Sequence, residues 1–280
     1  MGAIVWLASY PKSGNTWLRL LLADLLSGNE EPVDINNISL TGFLPASRSH
    51  AEEITLIDTA LLLPAEVDQL RPYVIRGLLE KAGAGDQFAK VHDAYRRLPD
   101  GTPLLGRDMA RAALYILRDP RDVAVSMSHY YRHDLDKAVA FINTGWKLAP
   151  RTEHPRAQVP QALLDWSSHV RSWTEQRDIP THMLRYEDLL TDTAAALGEA
   201  ATFLGLPVSP AALERVARRT SLNELRRQES EQGFRELPSW AGERFFRAGK
   251  AGGWVDALTR AQAAAITAAH GEMMAAYGYL

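Results

Sequence analysis

Two kinds of apolar run alternate along this chain. Residues 3–9 form a short, continuous apolar run ending at a turn, the pattern of a strand buried on both faces of a parallel sheet. Residues 16–26 are leucine-rich and free of glycine and proline, which predicts a buried helix. Residues 87–91 and 112–118 read as further strands. The second is followed by Asp119-Pro120 and a helix over about 121–131, with proline where a helix start tolerates its missing N–H. Residues 182–186 read as a fourth strand. Helices are predicted over 66–80, with a bend at Pro72, and over 162–177, 193–204, 210–219, 221–230 and 259–276. Residues 29–60 and 132–160 read as long loops of the kind that carry specificity. Strands alternating with helices predict an α/β fold with a central, mainly parallel sheet flanked by helices. No linker divides the chain, so residues 1–280 are expected to form a single domain.

Composition narrows the function. Apolar residues make up 46% of the 280 and charged residues 23%, a globular profile. A net charge of −3 argues against a dedicated nucleic-acid binder, which would carry a basic surface. There is no cysteine, which excludes disulfides, thiolate metal sites and a cysteine nucleophile and fits a reducing cytoplasm. The N-terminal apolar stretch runs into a loop as a strand would, not as a signal peptide. No apolar run approaches the roughly 20 residues needed to cross a bilayer. The expectation is a cytoplasmic protein with neither membrane nor nucleic-acid partners.

Three strand-to-helix edges carry candidate chemistry, and ligands bind at the carboxyl ends of parallel strands. At the first, "SYPKSGNTWLRLLL" (9–22) outlines a phosphate-binding loop. Ser13, Gly14, Asn15 and Thr16 can point N–H and hydroxyl groups at a phosphate-like anion, with Lys12 adding a fixed charge. The lysine precedes the glycine, unlike the Gly-x-x-x-x-Gly-Lys-Ser/Thr of nucleotide kinases. At the second edge, Arg118 and Ser126 can form another anion site. An ion pair of Arg118 with Asp119 or Asp122 is the equal alternative. At the third, His92 just past a strand end is a candidate general base, although lone histidines are more often structural. His129 and His133 have a metal-like spacing but lack the glutamate of His-Glu-x-x-His, and read as surface or packing residues.

Taken together, "YPKSGNTW", "RDPRDVAVS", "RYEDLL" and "RAGKAGGW" resemble, in order and spacing, the motifs of sulfotransferases that use 3′-phosphoadenosine 5′-phosphosulfate (PAPS). The resemblance spans most of the chain. It implies the P-loop NTPase-like sulfotransferase fold and sulfuryl transfer from PAPS to a small or mid-sized phenol or alcohol, leaving 3′-phosphoadenosine 5′-phosphate (PAP), with no metal. It also implies roles. Lys12 donates to the oxygen bridging phosphorus and sulfur, while Ser13, Gly14, Asn15 and Thr16 hold the 5′-phosphate. Trp17 and Tyr186 contact the adenine, with Leu222 where an aromatic residue often does so. Arg118 and Ser126 match the 3′-phosphate ligands, as does Arg247 in the late loop that also holds Gly249. "KVH" resembles the family's Lys-x-His, making His92 the base and Lys90 a sulfonate partner. Ala248 replaces a usual lysine, for which Lys250 can substitute, and Gly253 replaces a usual aspartate.

The C-terminal dimerisation segment of the animal cytosolic enzymes has no clear copy, so monomer and homodimer stay open. A P-loop kinase is the alternative from another class, but Gly249-Lys250 is followed by Ala251, and Arg244 stands at the first glycine position. A relative that binds nucleotide without catalysis is a third reading. The acceptor loops mix Phe43, Leu44, Phe141 and Trp146 with Arg48, Lys147 and Arg151, which favours a partly apolar acceptor.

Overall fold

The computed structural model describes residues 2–38, 40, 44–106, 108–148, 158–238, 241–242 and 244–280. In chain order the elements are β1 (Ile4–Ser9), α1 (Asn15–Ser27), α2 (Arg48–Thr55), α3 (Pro64–Ala82), β2 (Gln87–Val91), β3 (Ala110–Leu117), α4 (Pro120–Tyr131) and α5 (Leu135–Thr144). They continue with β4 (Trp146–Leu148), β5 (Gln161–Leu164), α6 (Trp166–Glu175), β6 (Thr181–Arg185), α7 (Tyr186–Thr191), α8 (Thr193–Phe203), α9 (Pro210–Arg219), α10 (Leu222–Gln232) and α11 (Arg260–Ala276). The central sheet has strand order β2-β1-β3-β6, and β1 pairs with β2 in parallel, Leu7 opposite Lys90. All six residues of β1 are buried, as its unbroken apolar run requires. The α/β architecture expected from the alternating runs is the one found.

Two compact units emerge. The first comprises Met1–Tyr10, Thr41–Tyr115 and Gly145–His182. Its largest fully buried side chains include Trp6, Tyr10, Tyr115, Trp166 and Trp173, together with one charged group, Arg71. The second comprises Pro11–Leu40, Ile116–Thr144 and Met183–Leu280. Here Leu20, Ile35, Leu225, Phe234 and Phe246 form a core cluster bordered by Trp17, Leu222 and Phe245.

Several elements differ from expectation. Residues 162–177 are not one helix, because β5 occupies their start and pairs antiparallel with β4. Leu164 then takes a left-handed φ of 57°, and the Asp165 carboxylate accepts the N–H of Ser168 to cap α6. Residues 29–60 are less irregular than expected, since they hold α2, capped by Ser47 and braced by the Arg48–Glu52 ion pair at 2.6 Å. Within 132–160, α5 and β4 likewise replace loop. Tyr186, expected to end a strand, instead opens α7. Helix α3 continues through Pro72 to Ala82.

Candidate active site

In the second unit, the turn before α1 bends the backbone into unusual conformations. Lys12 has φ 68° and Gly14 φ 108°, both in the left-handed region that favours glycine. A Cβ at Gly14 would lie 2.7 Å from the Tyr186 ring and 3.0 Å from Ile116, so glycine is also required by space. As N-cap of α1, Gly14 has no side chain to accept from the first-turn amides. A helix start uncapped by side chains suits an anion. Ser13 is buried, and its Oγ has no hydrogen-bond partner among the described residues. Asn15 and Thr16 are buried beside it.

The Lys12 ammonium lies 3.7 Å from the Tyr130 ring centroid and 4.6 Å from that of Phe245. Such cation–π contacts fix a lysine head without neutralising it. Burial pushes the Tyr130 hydroxyl up to about 12, so it stays neutral beside the lysine.

Arg118 follows β3. Its Nη1 donates to the Lys12 carbonyl at 3.3 Å and its Nη2 to the Lys250 carbonyl at 3.2 Å. The guanidinium carbon sits 4.3 Å over the Tyr186 ring, and the buried Nε has no partner among the described residues. Among the described residues no ion pair joins Arg118 to Asp119 or Asp122. Arg121 takes Asp119, at 2.7 Å, and Asp122 accepts backbone amides. Arg247 is largely exposed, yet partial desolvation and repulsion from Arg118 lower its pKa. Two cations near enough to repel each other, with unpaired buried donors at Ser13 and Arg118, fit a phosphorylated ligand.

Other expected positions fall nearby in the same unit. The Trp17 and Tyr186 rings meet edge to face at 5.7 Å, and Trp17 Nε1 donates to the Thr220 carbonyl at 2.9 Å. Leu222 packs on the late loop so closely that a Cβ at Gly249 would fall 2.3 Å from its Cδ2. Ser126 lies half-buried on α4. The exposed Lys250 ammonium stands 3.7 Å from Asp256, so it is the Lys250 carbonyl that meets Arg118. His133 stacks on Tyr131 and abuts Phe141, which fits the packing role expected for it.

In the first unit, Lys90 is half-buried on β2 and His92 follows the strand. His92 Nδ1 lies 2.9 Å from the Ser9 carbonyl and 3.2 Å from Ser9 Oγ. A carbonyl only accepts, so Nδ1 carries the proton and Nε2 is the basic nitrogen. The His92 carbonyl in turn accepts from Nε2 of His169 at 3.0 Å, and His169 Nδ1 accepts from the Tyr115 hydroxyl at 2.7 Å. Burial holds His169 down to about 4, and it remains neutral. Asp93 is fully buried and engaged by both Nη atoms of Arg71, at 2.8 and 2.6 Å, while Trp173 Nε1 donates to its carbonyl.

Several residues escaped the sequence. Tyr130 and Phe245 under Lys12, and His169 behind His92, come from distant segments with no motif of their own. Asp122 was visible in "RDPRD", but only as a possible partner of Arg118. Of the expected acceptor-loop residues, Phe43 and Arg151 lie outside the described residues, as does the Lys147 side chain. Arg48 pairs with Glu52 and Asp58. Among the described residues, no three His, Asp or Glu side chains are grouped to hold a metal ion, and no helix is long and apolar enough to cross a membrane.

A family model described as a sulfotransferase domain matches residues 4–278. A luciferin sulfotransferase of Photinus pyralis is 28% identical over 202 residues, covering 70% of this chain and 50% of that protein. The chain spans about half the length of such curated relatives. Among solved structures, a retinol dehydratase in complex with androsterone and the inactive cofactor PAP matches with a TM-score of 0.64 at 21% identity. That match covers 97% of this chain and 80% of the other. A mouse sulfotransferase complexed with PAP gives 0.62 at 20% identity, covering 97% and 84%. At this identity the likeness is one of fold.

Proposed function

The chain belongs to the sulfotransferase domain family, and on that premise we propose that it transfers a sulfuryl group from PAPS to the hydroxyl of a small or mid-sized acceptor. The observation that carries this reading is the donor set of the second unit. Buried Ser13 Oγ and Arg118 Nε are unpaired beside a helix start that no side chain caps, with Lys12 held over Tyr130 and Phe245. The same donors with a triphosphate would suit a kinase, but the lysine stands before the glycine, and PAP is the nucleotide in the solved relatives.

In this reading Ser13, Gly14, Asn15 and Thr16 bind the 5′-phosphate, and Trp17, Tyr186 and Leu222 border the adenine. Arg118, Ser126 and Arg247 hold the 3′-phosphate, with Gly249 and Lys250 in the same late loop. Bound PAPS supplies a sulfuryl group whose transfer forms a bond to the acceptor oxygen as the sulfur–oxygen bond to the 5′-phosphate breaks. Nε2 of His92 takes the acceptor's hydroxyl proton, and Lys90 steadies the sulfonate. Lys12 stabilises the charge that grows on the departing phosphate, the part metals play in phosphoryl transfer. The androsterone and retinol in the retinol dehydratase structures support a partly apolar acceptor. The unbroken match from 4 to 278 supports one sulfotransferase domain through both units. The cysteine-free composition supports a cytoplasmic setting. Monomer and homodimer both remain compatible.

Incubation with sulfur-labelled PAPS and a panel of phenols and alcohols tests the proposal. Labelled sulfate ester should form, in excess EDTA as well as without it, and ATP should not serve as donor. Tight PAP binding without transfer to any acceptor would favour the non-catalytic relative, and phosphoryl transfer from ATP the kinase.

A further inference from the structure

The late loop after Arg247 has little regular structure of its own, and it is tied to the start of α4. Arg118 holds the Lys250 carbonyl. Asp122 accepts the Gly252 amide on Oδ2 at 2.7 Å and the Trp254 amide on Oδ1 at 2.9 Å. The Trp254 ring lies 4.0 Å from the Arg121 guanidinium, itself fixed by Asp119 and the Tyr279 carbonyl. Asp122 is 3% exposed. A buried carboxylate four positions after an anion-binding arginine opposes the anion unless its own charge is engaged elsewhere. Here both oxygens are occupied by loop amides, bonds of the strong, charge-assisted kind.

We propose that Asp122 is a positioning residue that fixes the late loop against α4, so that Arg118 and Arg247 address one 3′-phosphate together. This rests on the reading of those arginines as 3′-phosphate ligands. Gly252, at φ 72°, lets two amides two residues apart turn toward a single carboxylate. With the carboxylate removed, the loop keeps its contact with Arg118 but loses its register. The Ser13–Thr16 donors and the Trp17 and Tyr186 rings lie outside this loop, so the affinity owed to the 3′-phosphate should suffer most.

Calorimetry on the full chain with PAP and with adenosine 5′-phosphate separates the two contributions. Asp122→Asn keeps one acceptor oxygen and turns an amide donor toward a backbone N–H. Losing one charge-assisted bond should reduce the preference for PAP by ~10-fold while adenosine 5′-phosphate binds within about twofold of wild type. An unchanged preference, or equal losses for both nucleotides, overturns the proposal. A wild type that does not prefer PAP overturns the 3′-phosphate reading beneath it. Hydrogen exchange on the wild type gives a second measurement that needs no variant. The Gly252 and Trp254 amides should be protected, and PAP should protect them further than adenosine 5′-phosphate does. Unprotected amides, or equal protection by both nucleotides, overturn the proposal.

Discussion

Around Lys12 the second unit grips main-chain groups of its loops, whereas around His92 the first unit adds a network of buried side chains to one main-chain contact. Arg118 grips the carbonyls of Lys12 and, in the late loop, Lys250, Asp122 grips the loop amides of Gly252 and Trp254, and the turn at Ser13 opens directly into a helix start. His92, by contrast, is stationed by Ser9, His169 and the Arg71–Asp93 pair, contributed by β1, α6 and α3. Main-chain amides at a helix start would bind a phosphate whatever their own side chains, with Ser13 and Arg118 adding side-chain donors. A base needs one nitrogen, in one tautomer, at one place. The difference predicts that damage near His92 affects turnover or folding, and damage near the loop affects binding.

The largest expected effect is on turnover. His92→Ala should lower the single-turnover rate by ~10²–10⁴-fold and leave the PAP dissociation constant almost unchanged. Lys12→Ala should damage both, since that lysine is proposed to address the donor. A His92→Ala enzyme near the wild-type rate would remove the contrast between the regions.

Next is stability. Arg71→Ala strands the fully buried Asp93 carboxylate and should cost about 3–5 kcal/mol in urea unfolding. A cost below about 1 kcal/mol would mean that the segment holding His92 is not rigidly anchored.

A smaller effect comes from pH. His169 stays neutral in the folded chain down to about 4, whereas in the unfolded chain a histidine takes up a proton below about 6.5. The unfolded state therefore binds more protons between these values, and stability falls as pH drops through that window. Its share is about 3 kcal/mol. Comparing the pH dependence of unfolding for wild type and His169→Gln isolates it, and identical slopes would refute the neutral buried histidine.

The smallest effect belongs to Lys250. Its ammonium is exposed and near Asp256, so Lys250→Ala should weaken PAP by no more than about fivefold, the scale of an exposed charge pair. A much larger loss would make Lys250 a full substitute for the lysine absent at Ala248.

What the sequence disclosed follows the same division. Strands β1, β2 and β3 were legible because continuous apolar runs meet clear turn signals. The proposed anion loop stands out because its candidate donors are consecutive residues. β5 was not, since "QALLDWSSHV" carries an apolar run through strand and helix with only Asp165 to mark the change. α2 is short, and its brace from Arg48 to Glu52 is weak as a signal. The platform under Lys12 was invisible for another reason. Tyr130 and Phe245 become neighbours of the lysine only once α4 and the late segment have packed, and no spacing along the chain encodes that.

The left-handed backbone at Lys12 has a consequence for anyone trying to improve this protein. A lysine with φ 68° carries a conformational cost, of order 1–3 kcal/mol, that glycine would not. Lys12→Gly should therefore raise the melting temperature, unless the lost contact with Tyr130 and Phe245 outweighs the relief. A thermostability screen without an activity readout would then select away the cation proposed to stabilise the departing phosphate. On the role proposed for Lys12, durability and catalysis pull in opposite directions at this one residue, and a directed-evolution campaign would have to score both.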